Sequence, residues 1–480
     1  MSDSAPVIVW FRQDLRLADN PALDAAVRRG QPILPIYILD DENAGDWKMG
    51  SASRWWLHQS LSSLNASLKG GLRFFRGDAQ SILPELARDV KARGVFWNRC
   101  YEPWRIARDT IIKDQLLGDS VAVRSSNGSV LFEPPNTNKP DGTPYRVFTP
   151  FYRKGCLENG IPPRQPLPAA RDIPLHEVDA GVSLDELELM PRINWYAEMS
   201  ETWSPGEDGA AKRLENFLSS GIGHYDEGRN RPDQQYVSRL SPHLHFGEIS
   251  PNQVWFAVQE RNSGEKLTPD ADRFLSELGW REFSNNLLYN QPTITTDNLQ
   301  RKFDRFPWRE DDESLQRWQR GTTGYPIVDA GMRELWRTGY MHNRVRMIVG
   351  SFLVKNLLQH WHHGAKWFWD TLVDADLANN SASWQWIAGC GADAAPYFRI
   401  FNPVTQGKKF DPEGGYVRRY VPELASMPDK FVHNPWEAPP DILLEADVEI
   451  GRDYPAPVVD LKSSRERALA AFKSLTPASS

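Results

Sequence analysis

With 480 residues, a net charge of −7, 40% hydrophobic and 25% charged residues, the chain has the composition of a globular protein large enough for two or three domains. The acidic balance excludes a basic coat, so nucleic-acid contact requires a local patch of Lys and Arg. Three separated cysteines, Cys100, Cys156 and Cys390, exclude a disulfide framework and a four-cysteine metal cluster and point to a reducing, cytoplasmic setting, and no apolar run approaches the ~18 residues of a membrane span.

Residues 6–11 (PVIVWF), 33–39 (ILPIYIL), 72–77 (LRFFRG), 94–99 (GVFWNR) and 121–126 (VAVRSS) read as short strands. Helical stretches such as PALDAAVRRG and SRWWLHQSLSSLNASL lie between them, so βαβ units and a mostly parallel, Rossmann-like α/β domain are predicted over 1–132. The first strand is followed by WFRQDLRLADNP, not by GxGxxG, which argues against a standard dinucleotide site there. From 133 to 205, Pro-rich and weakly periodic sequence reads as a long connector. From 206 to 480 helix signals dominate and predict an all-α domain, including one continuous helix over MHNRVRMIVGSFLVKNLLQHW (341–361).

In FLSELGWREF, Glu277, Trp280 and Arg281 fall at i, i+3 and i+4 and share one helix face. In YMHNRVRMIVGSF, a buried Arg346 needs a carboxylate partner, and Asp374 and Asp376 of DADLANNSASWQW are the candidates. Ser238, Arg239 and Ser241, just before a helix opened by Ser250-Pro251, form a plausible phosphate seat. His243 and His245 have no further ligands clustered with them and read as structural histidines. No GxSxG, HExxH or P-loop is present, so the chemistry is assigned to a bound cofactor.

Together these motifs resemble the photolyase/cryptochrome family over nearly the whole chain. WFRQDLRLADNPAL, SRLSPHLHFGEIS, ELGWREF, TGYPIVDAGMREL, MHNRVRMI, DADLANN and GADAAPYFRIFNPVTQGKKFD stand in the family's order. In detail the chain is most like the class III cyclobutane pyrimidine dimer photolyases. The resemblance implies FAD held by the helical domain, with Tyr225, Ser238, Arg239, Leu240 and Ser241 at the flavin nucleotide. It places Arg281 and Asn343 on the flavin pocket, pairs Arg346 with Asp374, sets Asp376 at the ribityl or ring edge and turns Asn380 to flavin N5. Glu277, Trp280, Met347 and Trp386 would take the flipped-out dimer, and Arg229, Arg344, Arg399 and Gln406 would touch the strand of UV-damaged DNA. Trp384, Trp361 and Trp308 would carry an electron in from the surface.

The implied function is light-driven repair of cyclobutane pyrimidine dimers. A cryptochrome-type photoreceptor is the alternative; Asn380, where plant cryptochromes carry Asp, and the absence of a long tail after Phe472 favour repair. Asn343, where (6-4) photolyases show His, argues against that reaction. The chain departs from many relatives at Val237 and Asn286, and it has Arg105 where class I enzymes place a folate-binding acid. An antenna chromophore is expected, methenyltetrahydrofolate in preference to deazaflavin, in a site different from theirs. No metal site and a monomer are expected.

Overall fold

The computed structural model describes residues 5–262, 266–394 and 398–475. Five parallel strands, β1 (Val7–Phe11), β2 (Ile33–Leu39), β3 (Arg73–Arg76), β4 (Gly94–Asn98) and β5 (Ala122–Ser126), form one sheet in the order β3-β2-β1-β4-β5. The apolar runs of β1, β2 and β4 are buried along their whole length, because the helices α1 (Pro21–Val27), α2 (Ser51–Ser67), α3 (Ala79–Asp89) and α4 (Pro103–Gly118) pack around the sheet. Pro35 is tolerated in the interior strand β2. It shares the parity of Ile33, whose N–H donates to Pro174 O, and its missing donor falls before the first β3 pair, Ile36–Arg73.

The second half is helical. Its main helices include α5 (Glu207–Asn216), α6 (Ser241–Phe246), α7 (Pro251–Arg261), α8 (Pro269–Asn290), α9 (Asp312–Arg320), α10 (Pro326–Thr338), α11 (Asn343–Ser351), α12 (Trp361–Thr371), α13 (Leu377–Ala388), α14 (Pro403–Phe410) and α15 (Leu461–Lys473). Side-chain caps fix several starts: Thr268 accepts from Ala271 N at 3.2 Å, Asp376 from Asn379 N at 2.8 Å and His342 Nδ1 from Arg344 N at 3.2 Å. The helix expected over 341–361 is two helices. After Ser351 the turns widen, with Leu357 N bonding Phe352 O and Gln359 N bonding Leu353 O. Leu358 then takes a left-handed φ of 57°, and His360 caps the next helix through its bond from His362 N. Apolar periodicity ran through the break because both segments bury the same residue types. The short helix α6 lies within SRLSPHLHFGEIS, where the sequence reading places a helix only from Ser250-Pro251 onward.

The β1–α1 loop locks the sheet to the helices. Glu207 at the start of α5 accepts from Leu17 N and Ala18 N at 2.9 and 2.8 Å, Arg16 Nη1 donates to Gly247 O at 2.8 Å, and Ser250 Oγ donates to the buried Asp19 at 2.5 Å. Gly247 has φ of 69°, and a Cβ there would lie 2.1 Å from Gln13 O, so only glycine permits this approach.

Candidate functional site

Three segments distant in sequence meet at one carboxylate. Asp374, only 8% exposed, receives Arg346 Nη2 at 2.8 Å and Ser241 Oγ at 2.6 Å. It thereby ties the α6 entry, α11 and the turn before α13 together. Burial disfavours the Arg346 charge, but Asp374 beside it holds the guanidinium protonated. The other carboxylate oxygen, Oδ1, is buried without a hydrogen-bond partner. An unmet buried acceptor is costly unless a ligand supplies a donor.

Arg239 beside it holds a left-handed φ of 51°, uncommon for a side-chain-bearing residue. Its guanidinium lies 5.0 Å from the Tyr340 ring centroid and 3.7 Å from the buried Glu334. Ser238 is half-buried, Ser241 is exposed, and Leu240 anchors the segment in the same apolar cluster as Tyr225. Asp376 caps α13 through Oδ1, while Oδ2 lies 3.6 Å from His245 Nδ1. Burial opposes its charge, yet the His245 and Arg281 sides hold its carboxyl down at about 2. Gln13, His245, Arg281 and Asp376 share a polar cavity between the sheet and the helices. Asn380 donates from Nδ2 to Ala365 O at 3.0 Å, and Asn343 at the start of α11 is exposed.

Glu277, Trp280 and Arg281 do share one face of α8, but each addresses a different neighbour. Arg229 Nη2 lies 2.8 Å from Glu277 Oε1, yet burial raises the Glu277 carboxyl above its ordinary range. Phe148 stacks on Trp280 with centroids 3.9 Å apart and planes 8° from parallel, covering one indole face. Arg281 Nη1 lies 3.3 Å from the buried Glu282. Across from them Arg344 donates to Met347 Sδ at 3.5 Å and to Asn230 Oδ1 at 2.5 Å, and packs over Phe410 of α14. Trp386 Nε1 donates to Asp393 O at 3.1 Å. Gln406 is half-buried on α14, and Arg399 is exposed.

Of the three tryptophans expected to pass an electron, two are buried and one is half-buried. Trp384 and Trp361 are 4% and 1% exposed, and Trp308 is half-buried. The Trp384 ring sits against the α12 backbone at Gly364, where a Cβ would come within 2.1 Å of it. Trp361 Nε1 donates to Asn298 Oδ1 at 3.0 Å. The His360 ring lies 5.0 Å from Trp308 and 5.7 Å from Trp361.

Sequence reading missed four contributors: His245 at Asp376, Glu334 beneath Arg239, Phe148 behind Trp280, and His360 between two tryptophans. Glu334 lies in TGYPIVDAGMREL with nothing local to mark its role, and His245 reads from the sequence as a structural histidine. Phe148 carried no local signal at all. Among the described residues no group of three or more His, Cys, Asp or Glu side chains is placed to hold a metal ion, and no helix is long and apolar enough to cross a membrane.

Residues 7–171 match the family described as DNA photolyase, and residues 274–474 the one described as the FAD binding domain of DNA photolyase. The chain is 49% identical over 474 residues to a deoxyribodipyrimidine photo-lyase of Agrobacterium fabrum, covering 98% of each. It is 39% identical over 472 residues to cryptochrome-1 of Arabidopsis thaliana, covering 96% of this chain and 69% of that protein. Its structure superimposes on a bacterial class III photolyase from Agrobacterium tumefaciens with a TM-score of 0.94 at 48% identity, covering 98% of both. A cryptochrome of Synechocystis is similar at a TM-score of 0.88 and 30% identity, covering 97% of this chain and 99% of that one.

Proposed function

This chain belongs to the photolyase/cryptochrome family, and from that premise we propose that it is a deoxyribodipyrimidine photo-lyase that uses light and FAD to split cyclobutane pyrimidine dimers in DNA. The observation that carries the reading is the α8 face on which a half-buried Glu277, its carboxyl raised by desolvation, meets Arg229 beside the backed indole of Trp280.

The residues present fit FAD. Asp374 Oδ1 lacks a donor, which a hydroxyl or N–H of the cofactor would supply, and Ser238, Arg239, Leu240 and Ser241 with Tyr225 would hold the nucleotide phosphates. Arg281, Asn343, Arg346, Asp376 and Asn380 would line the ring. When bound and reduced, FAD supplies a light-driven electron transfer to the dimer, with return of the electron after ring opening.

Arg229, Arg344, Arg399 and Gln406 would hold the damaged strand by its backbone, giving an affinity that falls with salt. Taking a dimer out of the duplex costs a few kcal/mol, and the handful of aromatic faces here, Trp280 and Trp386, returns roughly 1–3 kcal/mol per base. Phe148 fixes the plane of Trp280, so little ordering is left for the moment of binding. Glu277, its carboxyl raised by desolvation, would hydrogen-bond the pyrimidine dimer, with Met347 closing the pocket. Asn380 commits its Nδ2 to Ala365 O and, being an amide, has no acidic proton to give the ring. Trp308, Trp361 and Trp384 would pass electrons inward from the surface.

Tyr37, Trp47, Trp104 and Trp369 line a narrow crevice with Arg12, Arg105 and Glu102, and their aromatic faces offer stacking to a flat antenna ring, for which our reading is methenyltetrahydrofolate in preference to deazaflavin. In the same reading the protein is a cytoplasmic monomer with an antenna domain over 1–132, a connector over 133–205 and a catalytic domain over 206–480.

The test is illumination of the reduced protein with a thymine-dimer oligonucleotide, with chromatographic separation of repaired from damaged strand and a dark control. Light-dependent repair is expected. Binding of FAD and DNA without repair would favour a cryptochrome-type photoreceptor.

A further inference from the structure

A cavity of about 170 Å³ borders Trp386 and runs to Gln300, Lys302, Lys355, Phe398 and Arg399. That is roughly ten times the volume one water molecule needs. Three of its lining residues are cationic, and among the described residues that line it none is a carboxylate.

Lys355 is the unusual member. It is 1% exposed, its Nζ donates to Ala388 O at 2.7 Å, and it lies 3.1 Å from the centroid of the Phe398 ring. Ala388 ends α13, so its carbonyl carries part of the helix's C-terminal charge, roughly half an electron. A dipole end and a ring face are partial partners for an ammonium and leave it short of a full counter-charge. Burial accordingly pushes the amine well below the ordinary lysine range. The nearest sulfur, Cys390, is no anion either, because burial raises its thiol to about 12. An apolar side chain of the same length would fill this place without the desolvation cost.

We propose that the cavity is a phosphate site, in which a phosphate group supplies the counter-charge to Lys355 from inside and to Lys302 at the rim. Phe398, stacked on Phe472 with centroids 4.6 Å apart and planes 9° from parallel, forms a rigid wall beside it. The phosphate comes either from a bound DNA strand or from free inorganic phosphate; the recognition chemistry is the same. The inference does not depend on repair, since its readout needs neither light nor a dimer.

The experiment is thermal unfolding of the FAD-loaded full chain in inorganic phosphate, against sodium chloride at matched ionic strength. The wild type should show a saturable rise in Tm with phosphate beyond that in chloride. Lys355→Met should abolish the rise. No rise in the wild type, or an equal rise in Lys355→Met, would overturn the site. If Lys355→Met fails to fold, Lys302→Gln should weaken the apparent phosphate affinity severalfold, and an unchanged affinity overturns the proposal. DNA binding at fixed ionic strength separates the sources. Competition by phosphate, lost in the variant, identifies a strand phosphate; phosphate bound equally well to the DNA complex identifies the free ion.

Discussion

Asp374→Asn removes the charge that holds the site together while keeping its shape. Asp374 is the carboxylate 2.8 Å from Arg346 Nη2 and 2.6 Å from Ser241 Oγ. Asparagine leaves the guanidinium its bond from Nε to Met341 O at 2.8 Å but withdraws the counter-ion. Breaking a buried ion pair costs ~3–5 kcal/mol. The Arg346 side chain keeps 23% exposure against 3% for Asp374, so the lower end applies, about 3 kcal/mol. Because the same carboxylate orients Ser241, part of that loss falls on FAD retention; the whole of it would be more than a hundredfold in affinity. Urea unfolding of the FAD-free and FAD-loaded forms, with the FAD-to-protein ratio after dialysis, separates the two shares. Arg346→Met combined with Asp374→Asn should recover much of the stability, because no buried charge is then left unpaired. A loss below ~0.5 kcal/mol in both forms, or a double variant no better than additive, would refute the reasoning.

Trp384→Phe should slow photoreduction of the flavin by at least tenfold in transient absorption while repair by pre-reduced enzyme stays within about twofold, and Gly364→Ala, whose Cβ would press on the Trp384 ring, should do the same more weakly. Glu277→Ala should lower repair yield by about ten- to a hundredfold, the worth of a hydrogen bond to a charge-bearing substrate, whereas Glu277→Gln, still a donor, should keep most of it. His342 is buried, accepts from Arg344 N through Nδ1 and is faced by Arg239, Arg344 and Arg346, and burial lowers it from 6.5 to about 4. The unfolded chain therefore binds the extra proton, so stability is full above pH 6.5 and is lost as pH falls towards 4, by about 3 kcal/mol for this group. His342→Gln should flatten that part of a denaturation-versus-pH curve, and an unchanged slope would remove His342 as its source.

The sheet was legible because its central strands β1, β2 and β4 are apolar runs buried along their whole length and all five strands alternate with helices. Cost alone showed that Arg346 needs a carboxylate and narrowed the partner to Asp374 or Asp376 of DADLANN, and the family resemblance chose Asp374, which the structure bears out. The break after Ser351 was not, because the widened turns and the left-handed Leu358 leave the apolar pattern intact. Contacts such as Phe148 on Trp280, Arg229 on Glu277 and His245 by Asp376 were invisible for another reason. Each joins residues dozens to more than a hundred positions apart, and nothing local to Glu277, Trp280 or Asp376 points to its partner. Trp280 was expected to offer its ring to a base, but one face is already taken by Phe148, so stacking is confined to the other face.

The most direct test of the account is a single flash on the pre-reduced, FAD-loaded protein already bound to thymine-dimer DNA, following the thymine absorbance that a restored 5,6 double bond brings back. The account predicts recovery in step with return of the flavin to its reduced form, absent in the dark and strongly diminished in Glu277→Ala. Flavin excitation that decays with dimer-containing DNA bound and no thymine absorbance recovered would contradict it.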